Sequence, residues 1–209
     1  MRKKLLIGVY NPSIILTYIS VFCSVFGMGY LLFAEQAKVN DKMMWPMILL
    51  VIAGVCDTFD GRVARMCKRT DKEKEFGVQL DSLADTVSFV IFPAIMLLYL
   101  TQLHPLSVIA AMFYAFAGIM RLCWFNVTVE ENKGMFFGLP VTTAAVIFPM
   151  FYLAIKRLVL YAQVYIYPIL FIAVALAFIG NFKIKKPGLK TALTMIGIAI
   201  ILIVLLFIF

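Results

Sequence analysis

Cys56-Asp57-Thr58-Phe59-Asp60-Gly61-Arg62-Val63-Ala64-Arg65 closes an apolar run that begins near residue 44, and Gly77-Val78-Gln79-Leu80-Asp81-Ser82-Leu83-Ala84-Asp85 opens the next one. Four aspartates therefore lie in, or at the ends of, segments that read as membrane-spanning. A carboxylate at membrane depth is costly, and its retention asks for a cation or another polar partner. Four of them together amount to a candidate metal site.

The surrounding composition explains why that location matters. With 64% hydrophobic and 14% charged residues and a mean hydropathy of +1.00, the 209-residue chain has too little polar sequence to clothe a soluble globule. Apolar stretches of about spanning length fall near 12–33, 44–66, 78–101, 105–127, 139–155, 158–180 and 190–209. The expected fold is all-α, a polytopic membrane helical bundle of about six to eight helices, seven by this count. It is read as a single membrane domain over 1–209, within which 44–101 is expected to form the helix pair that carries the four aspartates. Arg2-Lys3-Lys4 before a long apolar run superficially resembles a signal peptide, but the run is too long and lacks a cleavage site. An uncleaved first span is expected.

Lys and Arg concentrate on the cytoplasmic side of membrane proteins. With the N-terminus inside, the cytoplasmic segments hold Arg2, Lys3 and Lys4, the cations from Arg65 to Lys74, Lys133, and the lysines from Lys183 to Lys190; the opposite loops hold only Lys38, Lys42, Lys156 and Arg157. All four aspartates then sit near the cytoplasmic ends of the second and third helices, flanking a loop expected over about 66–76. That loop, Lys68-Arg69-Thr70-Asp71-Lys72-Glu73-Lys74-Glu75, reads as a solvated turn touching anionic lipid. The net charge of +8 needs no nucleic acid to explain it, and no nucleic-acid motif is present. Cys23, Cys56, Cys67 and Cys123 form no metal or disulfide spacing, and His104 beside Pro105 reads as a loop residue.

At roughly 100° per residue, Asp57, Asp60, Gly61, Ala64 and Arg65 fall within an arc of about 140° on the second helix. Asp81 and Asp85 are one turn apart on the third, with Gly77 one turn before on the same stripe. Oxygen-only ligands suit hard cations, Mg²⁺ or Mn²⁺. Four carboxylates have the capacity for two divalent cations, and paired metals are a recurring device for displacement at phosphorus. Gly61, Ala64 and Gly77 either let helices approach closely or leave space for a flat base and a diphosphate.

The run Asp57-x2-Asp60-Gly61-x2-Ala64-Arg65, then Gly77-x3-Asp81-x3-Asp85, resembles the signature of the CDP-alcohol phosphotransferases. Eleven residues separate Arg65 from Gly77, more than the family usually has, and Lys74 stands where many relatives carry a small hydroxyl residue; the extra residues are expected to lengthen the loop. Leu80-Asp81-Ser82-Leu83-Ala84-Asp85-Thr86-Val87-Ser88-Phe89 with Pro93-Ala94, and Arg121-Leu122-Cys123-Trp124-Phe125-Asn126 followed by Phe137-Gly138-Leu139-Pro140, resemble the phosphatidylserine synthases. Pro12 and Thr17 match loosely, and the last two helices carry no motif.

The resemblance implies transfer of a phosphatidyl group from CDP-diacylglycerol to L-serine, giving phosphatidylserine and CMP. It implies Asp57, Asp60, Asp81 and Asp85 as ligands of two Mg²⁺ or Mn²⁺, Asp85 also as general base, and Gly61, Arg65 and Gly77 at the nucleotide and diphosphate. Arg121 is a candidate for the serine carboxylate or a phosphate, with Asn126 as an accessory; a structural ion pair with an aspartate is the competing reading. The implied site faces the cytoplasm in the cell membrane, with lipid as surroundings, and a homodimer is compatible with the sequence. Other acceptors or donors, with glycerol phosphate, inositol phosphate, choline or ethanolamine, are the alternative. A divalent-cation transporter is the reading from another class, and the absence of acidic residues within the fourth to seventh expected spans weighs against it.

Overall fold

A computed structural model describes residues 8–36, 41–128, 135–158, 160–185 and 189–208. Arg2, Lys3, Lys4, Lys38, Lys133 and Lys186 of the charge argument lie outside them. The described residues form a polytopic membrane helical bundle. After a 3₁₀ turn Pro12–Ile14 come α1 (Ile15–Gln36), α2 (Met44–Met66), α3 (Asp71–Asp85), a π-helical turn Thr86–Ile91, α4 (Phe92–Leu100) and α5 (Pro105–Thr128). Strand β1 (Met135–Phe137), a 3₁₀ turn Val141–Thr143, α6 (Ala144–Ile155), α7 (Leu160–Phe178), β2 (Lys183–Lys185) and α8 (Leu189–Ile208) follow. The two strands pair antiparallel, Phe136 opposite Ile184, a short ribbon that the sequence reading did not anticipate.

By length and composition, Pro12–Gln36, Asp71–Leu100, Pro105–Thr128 and Ala162–Ile179 are each able to cross a membrane, and Val141–Ile155 and Leu193–Ile208 are shorter apolar helices. Helix α2 is 23 residues long, and its charged residues crowd its last turns. Phe22, Phe26 and Phe33 of α1, Ile109, Met112 and Phe116 of α5, and Ile200, Ile201 and Val204 of α8 are exposed. Outward apolar faces of this kind are what a bilayer covers. Inside, Tyr114 is the hub: its ring centroid lies 4.9 Å from that of Phe171 and 5.7 Å from that of Phe148, and the last two stack at 4.2 Å.

One expectation is corrected. The third helix starts at Asp71 rather than near 78, and the charged loop from about 66 to 76 shrinks to a short link before it. Thr70 is the reason: its hydroxyl accepts from the Glu73 N–H while the Glu73 carboxylate accepts from the Thr70 N–H at 2.8 Å. That reciprocal cap satisfies two otherwise orphaned donors and nucleates the helix early. The extra residues after Arg65 therefore extend α3 by turns of helix instead of lengthening a loop. Asp71–Leu100 is 30 residues, about 45 Å at 1.5 Å per residue, longer than a hydrocarbon core of about 30 Å. Its first turns, Asp71 to Glu75, carry the charged residues and its later turns the apolar ones.

The π-helical turn after Asp85 has a local cause. Pro93 has no N–H to offer the carbonyl of Phe89 one turn earlier; the buried Tyr114 hydroxyl donates to that carbonyl at 2.7 Å. The Phe92 N–H reaches back to the Val87 carbonyl, one residue beyond the α-helical partner.

Candidate active site

Helices α2 and α3 bring the four aspartates together. Carboxylate oxygens of Asp57, Asp81 and Asp85 lie within 4.8 Å of one another. Asp57 stands beside Asp85, and Asp60 beside Asp81, close enough for the side chains of each pair to interact. Asp85 is buried and the other three are partly so. Thr17 of α1 donates from Oγ1 to Asp60 Oδ2 at 3.3 Å. A loosely matching residue of the first helix thus fixes one member of the cluster, which its polar character within an apolar run could have suggested.

Oxygen atoms this close, and exclusively carboxylate, fit a hard divalent cation. Without one, like charges held at this spacing repel strongly in a low-dielectric setting.

A cavity of about 590 Å³ opens on one side of the cluster. Asp57, Asp60, Gly61 and Arg65 of α2 line it, together with Thr58 and Arg62 of the same helix, whereas Ala64 of the expected face is not among the lining residues. A Cβ built on Gly61 would meet nothing within 4 Å. Across the cavity stand Pro140, Thr142 and Thr143, none of them assigned a site role from sequence. The Phe137-Gly138-Leu139-Pro140 stretch holds that wall. Gly138 has φ +67°, and a Cβ there would come to 2.2 Å from the Phe178 carbonyl oxygen, so only glycine fits. Its N–H donates to the Phe182 carbonyl and that of Leu139 to the Ala177 carbonyl, both at 2.9 Å. At the base, Gly54 lets α2 approach α6, where an added Cβ would overlap Ala145.

Gly77 and Arg121 lie elsewhere. Gly77 lies one helical turn before Asp81 in α3, but the atom nearest to a Cβ built there is Arg69 Nη1 at 3.5 Å, and it is not among the residues lining the cavity. Arg121 is 8% exposed and close enough to Asp85 and Asp57 to interact with their charges. Its guanidinium also sits 5.2 Å from the Phe125 ring centroid, and it lines a second cavity of about 530 Å³ with Trp124, Thr128 and Asn181. Asn126 Nδ2 donates to Ser82 Oγ at 2.8 Å, tying α5 to the residue beside Asp81. Lys74, the departure from the family pattern, turns outward to Asp71 at 2.9 Å and takes no part in the cavity.

A sequence model described as CDP-alcohol phosphatidyltransferase matches residues 10–180, which contain every residue of the aspartate cluster. The chain belongs to the CDP-alcohol phosphatidyltransferase family. It is similar to an archaetidylserine synthase of Methanothermobacter thermautotrophicus, 34% identical over 126 residues, 60% of this chain and 52% of that protein. It is similar also to the CDP-diacylglycerol–serine O-phosphatidyltransferases of Saccharomyces cerevisiae, 37% identical over 52% of this chain and 42% of that protein, and Helicobacter pylori, 30% identical over 66% and 56%. The chain thus spans about half the length of the curated relatives it matches. Membership in this family agrees with the signature over Asp57–Asp85 and with a multi-pass membrane protein.

Proposed function

We propose that the chain transfers a phosphatidyl group from CDP-diacylglycerol to the hydroxyl of L-serine, releasing CMP. The observation that carries this reading is the gathering of Asp57, Asp81 and Asp85, with Asp60 beside them, next to a cavity that Asp57 and Asp60 line and that turns apolar further along α2. The relatives named for serine transfer or archaetidylserine synthesis support the choice of acceptor.

The four aspartates would hold two divalent cations, Mg²⁺ or Mn²⁺, which when bound supply positive charge against the diphosphate and the departing CMP. The residues themselves do the rest. The open side of Gly61 admits the nucleotide, and Arg65 at the cavity rim contacts the diphosphate. Gly77 keeps the α3 side low near Arg69, where the nucleotide's outer end would lie. The serine hydroxyl oxygen forms a bond to the phosphorus that carries the diacylglycerol, and the bond from that phosphorus to the bridging oxygen breaks, with CMP leaving. The hydroxyl proton passes to Asp85. Arg121, on the far side of Asp85 and Asp57, holds the serine carboxylate, and Asn126 steadies the α3 face through Ser82. In this reading the aspartate end of the bundle faces the cytoplasm, within a cell membrane, where serine and nucleotide are found; the chain works alone or as a homodimer.

The test is CMP release by purified protein in detergent with CDP-diacylglycerol and Mn²⁺ or Mg²⁺, offering serine, glycerol 3-phosphate, inositol, inositol phosphate, choline and ethanolamine separately. Serine-dependent, EDTA-sensitive release is expected. Release with another acceptor alone would replace the substrate, and no release with any would overturn the reading.

A further inference from the structure

The family match ends at residue 180, and the sequence beyond it carries no motif. Helix α8 nevertheless supplies Met195, Ile196 and Ala199 to the wall of the aspartate-side cavity. It is anchored there, because Ala199 and Leu202 pack with Val51 of α2 in one buried cluster.

The cavity changes character along α2. Around Asp57, Asp60 and Gly61 it presents carboxylates and the residues Thr142 and Thr143; further along, Val51, Val55 and Val146 with the α8 side chains make it apolar. From Asp57 to Val51 the helix advances about 9 Å. A nucleotide or other anion placed in that deeper part would lose its hydration without compensation. Hydrocarbon loses nothing there and gains by leaving water. A charged mouth continuous with an apolar depth suits a single molecule that has both parts.

We infer that α8 forms one wall of a hydrocarbon-chain slot for the lipid donor, with Met195, Ile196 and Ala199 setting which chains fit. The assignment rests on the transferase reading above and adds a substrate-selecting element outside the family core. Helix α8 is thus a specificity wall, and the aspartate helices do the chemistry.

The experiment compares kcat/KM for CDP-dioleoylglycerol and CDP-dihexanoylglycerol, with saturating serine, on the full chain. Ile196→Phe narrows the slot and should lower the long-to-short ratio about tenfold, the size of effect a pocket misfit of methylene scale gives. Met195→Ala widens it and should raise turnover of a methyl-branched chain relative to a straight one. Ratios equal to wild type in both variants would overturn the slot. Failure of the wild type to release CMP with any alcohol would overturn the transferase reading instead. A measurement independent of turnover is photolabelling by CDP-diacylglycerol with a diazirine in its chain: label should appear in the peptide covering 193–208, and label confined to other helices would overturn the assignment.

Discussion

The two ends of the bundle treat their acidic residues in opposite ways. At the end where α1 meets α2, Asp41 accepts from Lys156 Nζ at 2.9 Å, from the Tyr152 hydroxyl at 2.7 Å and from the N–H groups of Met43 and Met44. Nearby, Glu35 accepts from Lys42 Nζ and from the Tyr99 hydroxyl at 2.6 Å. Every carboxylate there has a cation and a hydroxyl of its own, and the result is a pair of clamps that hold the α1–α2 connection to α4 and α6. At the other end four aspartates face chiefly one another. Carboxylates each given a cation and a hydroxyl hold neighbouring segments together, whereas four carboxylates gathered with Arg121 as the buried cation beside them carry excess negative charge that a cation from outside would complete.

Removing one carboxylate at each end would break the comparison most sharply at the aspartate end. Asp85→Asn deletes the proposed proton acceptor and is expected to lower turnover by about 10³-fold or more, while binding of CDP-diacylglycerol, read by thermal shift, persists. Full activity in this variant would remove Asp85 from the general-base role. Asp57→Asn is expected to lose turnover as well, yet to melt a few degrees higher than wild type in chelator, since it relieves repulsion among Asp57, Asp81 and Asp85.

Divalent cation should separate the two ends next. If the cluster is completed by a metal, Mn²⁺ raises the melting temperature of the wild type in a concentration-dependent way, and EDTA reverses it together with activity. The same titration on Asp57→Asn should give a much smaller shift. A wild-type shift that survives this substitution would place the cation elsewhere.

Arg121 stands between these extremes, a buried cation beside the cluster that also lines a second cavity. Arg121→Lys keeps the charge and loses the planar fork that matches a carboxylate. The apparent KM for serine should rise about tenfold, near 1.4 kcal/mol, with a smaller change for CDP-diacylglycerol. Equal changes in both would make Arg121 a positioning residue for the aspartates.

Much of this arrangement was legible in the sequence. Seven apolar runs correspond to the helical segments, and the spacing of Asp57, Asp60, Asp81 and Asp85 was enough to expect their convergence. The Thr70-x2-Glu73 pattern is a capping signal, but the density of charge from Lys68 to Glu75 equally suits a solvated turn, and only the observed hydrogen bonds decide between them. Helical arithmetic placed Gly77 on the stripe of Asp81 without fixing which neighbour that part of the stripe meets. The π-helical turn required knowing that the Tyr114 hydroxyl, 25 residues away, reaches the Phe89 carbonyl. The α8 wall had no signal at all, because an apolar helix facing a cavity and one facing lipid have the same composition.

The smallest effect belongs to the clamp end, and it sharpens the comparison by being purely structural. Lys156 and Asp41 side chains are 13% and 34% exposed, so Lys156→Met removes a partly buried partner and should cost roughly 1–2 kcal/mol, below the range for a fully buried pair, with turnover per folded molecule preserved. Burial alone would push the Asp41 carboxyl up, but the hydrogen bonds from Lys156 and Tyr152 outweigh it and hold it below the usual carboxylate value. A lowered folded value means the stabilisation is fully present above the unfolded carboxylate range and is lost as pH falls through the folded value. The wild type should therefore lose more stability than Lys156→Met on acidification below about pH 4, and parallel melting curves for the two proteins across that window would show that the clamp contributes nothing.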